Sequence, residues 1–190
     1  MKLHAAAFSQ KGAELALKIA KAFDGSAWST DNYAKGDVKP FGASLGEWTK
    51  AHFDETDALV FVSSCGIAVR AIAPCLKSKA TDPAVVVVDE RGLSAISLLS
   101  GHIGGANDLA LQVAEVTGAR PVITTATDVN GITAPDSWAV KNNCTIENLK
   151  AAKQVAAELL AGREVGVAVT DELQPAPYPV TLWLRPRDLF

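Results

Sequence analysis

Residues 85–107 read VVVVDERGLSAISLLSGHIGGAN and are the most informative stretch of the sequence. Its four consecutive valines predict a strand that is covered on both faces of a sheet. The turn at residues 90–92 is only long enough for a hairpin, so residues 93–98 are expected to run antiparallel to the valine strand. A glycine-rich loop with one histidine then leads into a helix from Ala106. The stretch therefore predicts an α/β protein with a mixed sheet.

Alternating strand and helix patterns surround this stretch. Residues 3–8 predict a buried strand, and apolar residues at helical spacing predict a helix that opens at Gly12. Residues 31–42 are rich in turn formers, after which Ser44 and Glu47 form a capping-box pattern that begins a short helix ending near His52. Further strands are expected at residues 57–62 and 121–124, and further helices at 66–76, ended by Pro74, and at 106–117, ended by Gly118.

The composition changes after Asn130, where proline, aspartate and asparagine become frequent. We predict a main α/β domain at residues 1–130, in which helices on both faces of the mixed sheet make three layers. A smaller central-type α/β domain is expected at residues 131–190. In this second domain, apolar residues at helical spacing from Leu149 predict a helix ended by Gly162, and residues 165–170 and 180–184 predict strands.

Composition and charge narrow the class of protein. Hydrophobic residues make up 48% of the 190 residues and the net charge is -3, which favours a well-packed globular protein and excludes a general binder of nucleic acid. The three cysteines show neither a zinc-ligand spacing nor a disulfide framework. The sequence carries no apolar run long enough to span a bilayer. We expect a cytoplasmic protein without a protein-bound metal.

The loop at residues 100–107 is the strongest candidate site. It joins a strand to a helix, and His102 there is a candidate general base toward a water molecule, because histidine titrates close to neutral pH. The amides of Gly104 and Gly105 are candidate donors to an oxyanion. The structural alternative is that the glycines only permit a tight connection and that His102 is an ordinary loop residue. The residues of this loop that we expect to bind substrate are Ser100, Gly101, Gly104, Gly105 and Asn107.

A second loop of similar kind follows the strand at residues 57–62. Ser64 and Gly66 precede a helix that carries Arg70 one turn in, and such an arrangement can hold a carboxylate. The alternative is that Ser64 is a plain N-cap and Arg70 a solvated surface charge.

Hydroxyl side chains and one carboxylate follow the strand at residues 121–124. Thr124 and Thr125 are candidate hydrogen-bond donors to substrate, and Asp128 is a candidate partner that orients His102. The hairpin places His102 at the sheet edge opposite to Asp89, which favours Asp128 over Asp89 within one subunit. A homodimer would remove that objection, and a purely structural role for these residues is also open.

Four motifs in this order resemble the CbiG family: GIAVRAIAP at residues 66–74, DPAVVVVDERG at 82–92, ISLLSGHIGGAND at 96–108 and PVITTATD at 121–128. The resemblance implies a cobalt-precorrin-5A hydrolase of cobalamin biosynthesis. Such an enzyme opens the δ-lactone of a cobalt-containing tetrapyrrole and releases acetaldehyde to give cobalt-precorrin-5B. The cobalt arrives within the substrate, so the resemblance implies no separate cofactor.

Family members commonly continue into a further C-terminal domain, and the resemblance ends before it. A non-catalytic subunit that binds the corrinoid intermediate, or docks to a separate protein carrying that domain, is therefore the second functional hypothesis. A third hypothesis, a nucleotide or phosphometabolite binder, ranks lower because the first βα turn has neither a Walker lysine nor a G-x-G-x-x-G loop. Whether the chain forms a homodimer stays open.

Overall fold

The computed structural model describes residues 1–142 and 144–166 of the chain. These residues form a mixed α/β fold with a seven-stranded sheet, which confirms the predicted fold class. The strands are β1 (Leu3–Ala7), β2 (Ser26–Ser29), β3 (Val38–Pro40), β4 (Ala58–Val62), β5 (Ala84–Val88), β6 (Ser94–Leu99) and β7 (Arg120–Val122). The α-helices are α1 (Gln10–Ala22), α2 (Leu45–His52), α3 (Cys65–Ile72), α4 (Ala106–Thr117), α5 (Ala126–Val129), α6 (Pro135–Lys141) and α7 (Leu149–Leu160), and a short 3₁₀ helix covers Ala73–Cys75.

The sheet has the strand order β3-β2-β1-β4-β5-β6-β7. The five strands from β3 to β5 in this order are parallel, β6 runs antiparallel to β5, and β7 runs parallel to β6. The chain leaves β1 toward β2 and later crosses through α2 to β4, on the other side of β1. Its direction along the sheet therefore reverses between β1 and β4, where an open α/β sheet ordinarily has a crevice at the carboxyl ends of its strands.

Helices cover both faces of the sheet, which confirms the three predicted layers. Val60 and Val62 of β4 pack in one core with α1 and α4, whereas Leu59 and Phe61 pack in a second core with α2 and α3. This division follows from the two-residue period of a strand. Because both faces are covered, β4 and β5 are buried along their whole length and have continuous apolar sequences.

The predicted hairpin between β5 and β6 is confirmed. Asp89 closes it with its carboxylate, which accepts hydrogen bonds from the backbone N–H groups of Arg91, Leu93 and Ser94 at N···O distances of 2.9, 3.0 and 2.6 Å. Asp89 therefore has the structural role expected of a turn acid. Nearer the other end of the hairpin the register shifts, because Val85 lies opposite Leu99 while Val86 lies opposite Ser97. This irregularity lies just before the histidine loop, a common place for a bulge.

Several boundaries differ from the predicted ones. Helix α1 begins at Gln10 rather than Gly12, because Ser9 is the N-cap and its hydroxyl accepts the Gly12 N–H. Strands β2 and β3 were not predicted, since both are short and the second lies within the turn-rich segment. Pro40 ends β3 at the sheet edge, where a missing N–H breaks no interior ladder bond. Strand β7 is shorter than predicted and ends at Val122.

An aromatic cluster lies on the α2 face of the sheet. The His4 ring is 4.9 Å from the His52 ring and 5.7 Å from the Trp28 ring, measured between centroids, and Trp48 contacts all three rings. His4 is 7% exposed, and its Nδ1 accepts a hydrogen bond from Trp28 Nε1 at 3.3 Å. Burial is the main cause that lowers the pKa of His4 to about 4, and the positive charges of His52, Lys2 and Lys39 lower it further. The cluster therefore requires a neutral histidine.

The chain divides into two compact units, one through Ile123 and one from Thr124 onward. The predicted domain boundary at residue 130 stays a prediction. Within the second unit the structure describes α5, α6 and α7. Helix α7 begins at the predicted Leu149, after the N-cap Asn148, and ends at Leu160, two residues before Gly162. The strand predicted at 180–184 lies outside the described residues, as does most of the one predicted at 165–170. Among the helices that the structure describes, none is long and apolar enough to cross a bilayer.

Candidate functional site

The two predicted anion-binding loops lie at opposite edges of the sheet. Ser64 and Gly66 follow β4 at the carboxyl edge of the parallel strands. The loop at residues 100–105 follows β6, whose last residue lies opposite Val85 near the amino end of β5. A five-residue strand spans about 17 Å, and this distance separates the two edges. The two loops are therefore two separate surfaces of the first unit, as the predicted hairpin implies.

The histidine loop folds back on itself before α4. The Gly105 N–H donates to the His102 carbonyl at 3.0 Å, the Ala106 N–H to the Ser100 carbonyl at 3.1 Å, and the Asn107 N–H to the Gly101 carbonyl at 3.0 Å. These bonds occupy N–H groups that a helix start would otherwise leave open. The prediction that the Gly105 amide is free to bind an oxyanion is therefore wrong.

The Gly104 N–H is the other predicted oxyanion donor, and it remains available. This N–H makes no hydrogen bond within residues 1–142 and 144–166, and the residue is only half-buried. Gly104 packs tightly against Ser100. A Cβ built on Gly104 would be 2.4 Å from Ser100 Cβ and 2.9 Å from the Ser100 carbonyl oxygen. Only glycine fits at this position without displacing the backbone beside it.

Replacing Gly104 by alanine is expected to destabilise the fold by about 2 kcal/mol or more, because the added methyl group overlaps the Ser100 Cβ and carbonyl oxygen rather than the far end of a flexible side chain. The matched control is Gly46→Ala in α2, where a Cβ meets no atom within 4 Å among the described residues. There the free energy of unfolding should stay level or rise by up to about 1 kcal/mol. Urea denaturation of both variants measures the difference, and equal stabilities would contradict the packing described here.

Ser100 is under strain. Its φ is +59°, a conformation that costs a residue with a Cβ about 1–3 kcal/mol. The residue is 9% exposed, and its hydroxyl is buried with no hydrogen-bond partner in the described part of the chain. Leaving such a group unpaired costs a further ~1–3 kcal/mol. Ser100 is among the predicted substrate contacts, but the sequence carries no signal for its strained backbone.

Asn107 and Gly101 stabilise the histidine loop. Asn107 is 5% exposed, and its side-chain carbonyl accepts the Ser97 hydroxyl hydrogen bond at 2.7 Å. A Cβ on Gly101 would lie 2.8 Å from the same oxygen, so the absence of a side chain at Gly101 lets the amide pack beneath the loop. The geometry shows Asn107 as a support that links β6 to α4.

His102 lies at the centre of the loop and is half-buried. Its carbonyl anchors the turn through the Gly105 N–H, and its side chain follows a strand end and precedes the first turn of α4. This position suits a residue that must present an imidazole from a fixed backbone. Its role as general base stays a prediction.

The loop after β4 is more open. Ser64 is the N-cap of α3, yet its hydroxyl makes no capping hydrogen bond to the first turn. The Ile67 N–H donates to the Ser64 carbonyl at 3.1 Å. The amides that precede Ile67 at the helix start remain available to a ligand. Arg70 is exposed and folds back along α3, where its Nη1 donates to the Gly66 carbonyl at 3.2 Å. Substrate binding by Ser64, Gly66 and Arg70 stays a prediction.

Asp128 lies in the second unit, in the short helix α5 rather than at a strand end. It is exposed, and its carboxylate accepts a hydrogen bond from the Thr125 hydroxyl. Thr124 is exposed and precedes the N-cap Thr125. The predicted pairing of Asp128 with His102 and the substrate contacts of the two threonines stay predictions. The described residues contain no cluster of three or more histidine, cysteine or acidic side chains that could hold a metal.

Residues 47–128 match the family model described as Cobalamin synthesis G N-terminal. This part of the chain is therefore similar to the CbiG family. All four motifs identified in the sequence lie inside the matched range, as does the histidine loop. The family resemblance inferred from those motifs is thereby confirmed.

Two curated relatives extend the similarity beyond this range. The cobalt-precorrin-5A hydrolase of Salmonella typhimurium is 39% identical over 153 residues, which cover 80% of this chain and 44% of that protein. The cobalt-precorrin-5A hydrolase of Priestia megaterium is 36% identical over 167 residues, covering 85% of this chain and 45% of that protein. The chain thus spans less than half the length of these relatives.

A solved structure supports the fold. The crystal structure of a cobalamin biosynthesis protein G homolog from Sulfolobus solfataricus matches with a TM-score of 0.51 and 23% identity. The match covers 91% of this chain and 51% of that one. The two chains therefore share this fold.

Proposed function

We propose that this chain acts in cobalamin biosynthesis as a cobalt-precorrin-5A hydrolase, opening the δ-lactone of its substrate and releasing acetaldehyde to give cobalt-precorrin-5B. The observation that carries the proposal is the CbiG match over residues 47–128, which includes the complete histidine loop. Two relatives that bear this enzyme name are 36% and 39% identical to the chain. The proposed substrate brings its own cobalt, so the proposal requires no metal bound by protein side chains.

The residues of the loop suit the opening of a lactone. His102 takes a proton from a water molecule, whose oxygen adds to the lactone carbonyl carbon. The carbonyl oxygen gains the negative charge, and the Gly104 N–H is available to stabilise it by a hydrogen bond. The ester C–O bond then breaks, and the departing ring oxygen receives the proton from His102. The hydroxyl group so formed prepares the two-carbon unit to leave as acetaldehyde.

A tetrapyrrole substrate carries several carboxylates. The open loop after β4, at the sheet edge opposite to the histidine loop, is proposed to bind one of them. Exposed Arg70 and the start of α3 are proposed to bind a carboxylate there, since a guanidinium and helix amides both favour anions. Binding at this edge is separate from the histidine loop within the first unit.

The test is acetaldehyde release from cobalt-precorrin-5A by the intact chain, followed with alcohol dehydrogenase and the oxidation of NADH. We expect one acetaldehyde for each substrate consumed. Binding of the substrate without any release would instead support the corrinoid-binding subunit, the second function. The absence of both binding and release would contradict the proposed function.

A further inference from the structure

Ser100 combines two features that a purely structural loop residue would avoid. Its backbone has a positive φ of +59°, where a glycine would fit without strain, and its hydroxyl is buried yet has no hydrogen-bond partner in the parts of the chain that the structure describes. Strained residues of this kind cluster at sites that act on ligands. Both features therefore indicate a functional role for the Ser100 hydroxyl.

The Ser100 side chain packs directly against Gly104. A Cβ on Gly104 would lie 2.4 Å from Ser100 Cβ, so the two residues are in close contact at the start of α4. The twelve-residue helix α4 directs its positive end toward this point. The neighbouring Gly105 N–H is already bonded to the His102 carbonyl, which leaves the loop one donor short of a two-donor oxyanion site.

We infer that Ser100 is a further catalytic residue, whose hydroxyl donates a hydrogen bond to the lactone carbonyl oxygen of the substrate beside the Gly104 N–H. This inference rests on the proposed function and assigns the second oxyanion donor of the same site. Water supplies the attacking oxygen, and the electron pair of the carbonyl π bond moves onto the oxygen that the two donors bind. Ser100 forms no covalent bond to substrate. The hydroxyl is covered in this structure, so substrate binding must displace the loop slightly.

Ser100→Ala tests the inference, with Ser97→Ala as the matched control. The Ser97 hydroxyl is bonded to Asn107, so its loss should lower Tm. The loss of the Ser100 hydroxyl should lower kcat for acetaldehyde release by ~10²–10³-fold, leave KM within about threefold and keep or raise Tm. Ser100→Gly should show the same loss of kcat with a higher Tm, because glycine also removes the backbone strain.

Three results would overturn the inference. The first is a kcat for Ser100→Ala within about threefold of the wild type. The second is a loss of kcat accompanied by a fall in Tm as large as that of Ser97→Ala, which would show a structural hydroxyl. The third is an acyl adduct on Ser100 detected by mass spectrometry after rapid quenching, which would show a nucleophile instead.

Failure of the proposed function can be told apart from failure of this inference. A wild-type chain that releases no acetaldehyde contradicts the proposed function, and this inference falls with it. Release by the wild type together with an unchanged kcat for Ser100→Ala overturns the inference alone and leaves the proposed function standing.

Discussion

Replacing His102 by alanine is expected to lower kcat for acetaldehyde release by ~10²–10⁴-fold, because the reaction loses the group that activates water and returns the proton to the leaving oxygen. The loop backbone should survive the change, since the Gly105 N–H that closes the turn donates to the His102 carbonyl, which alanine keeps. We therefore expect the KM and the Tm to change far less than kcat. Steady-state kinetics and thermal unfolding of the purified variant measure all three quantities.

The control for His102 is Glu115→Ala, which removes an exposed charge farther along the same helix, α4. Its kcat and Tm should match those of the wild-type chain, because exposed surface substitutions rarely change stability by more than about 0.5 kcal/mol. A His102→Ala protein that keeps the wild-type kcat would remove the imidazole from the mechanism. A large fall in its Tm would show that the side chain is structural.

Acidification from pH 7 to pH 4 should remove about 3 kcal/mol of folding free energy through His4 alone. The pKa of His4 falls from 6.5 to about 4 on folding, so the unfolded chain binds a proton through this window while the folded chain does not. Stability is therefore full above pH 6.5, declines as the pH drops toward 4, and levels below it. Burial also lowers the pKa of His52, which adds a loss of the same sign.

Urea denaturation at several pH values, for the wild type and for His4→Gln, isolates this contribution. Glutamine does not titrate and can still accept a hydrogen bond from Trp28 Nε1, so the variant should lose less stability on acidification. The exposed carboxylates with lowered pKa, Asp37, Glu47 and Glu158, titrate in both proteins and cancel in the comparison. Parallel pH profiles for the two proteins would contradict a neutral buried His4.

The elements with strong local signals could be predicted from the sequence. The Ser44 capping box, the unbroken valines of β5 and the glycine at the end of α4 each have one favourable local conformation, and the structure shows all three. The short turn before β6 left only a hairpin, which fixed the edge at which His102 lies. Strands β2 and β3 could not be predicted, because a three- or four-residue strand is stabilised by its neighbours in the sheet rather than by its own residues.

The finer geometry of the site depends on contacts that no local pattern encodes. Whether the Gly105 N–H is free depends on where the His102 carbonyl lies, and the positive φ of Ser100 depends on how the chain packs against Gly104. The approach of His4 to His52 joins residues 48 positions apart through the pairing of β1 with the sheet and the packing of α2. Such long-range packing has no periodic signature in the chain.

The single antiparallel step in the sheet has a practical consequence for protein engineering. Because β6 turns back, the imidazole and the exposed guanidinium occupy opposite rims of one rigid scaffold. Amino-acid changes that alter ligand affinity at one rim should leave the function of the other rim unchanged, since the effects of mutations at distant sites are usually additive. Affinity and turnover could then be selected in separate libraries and recombined.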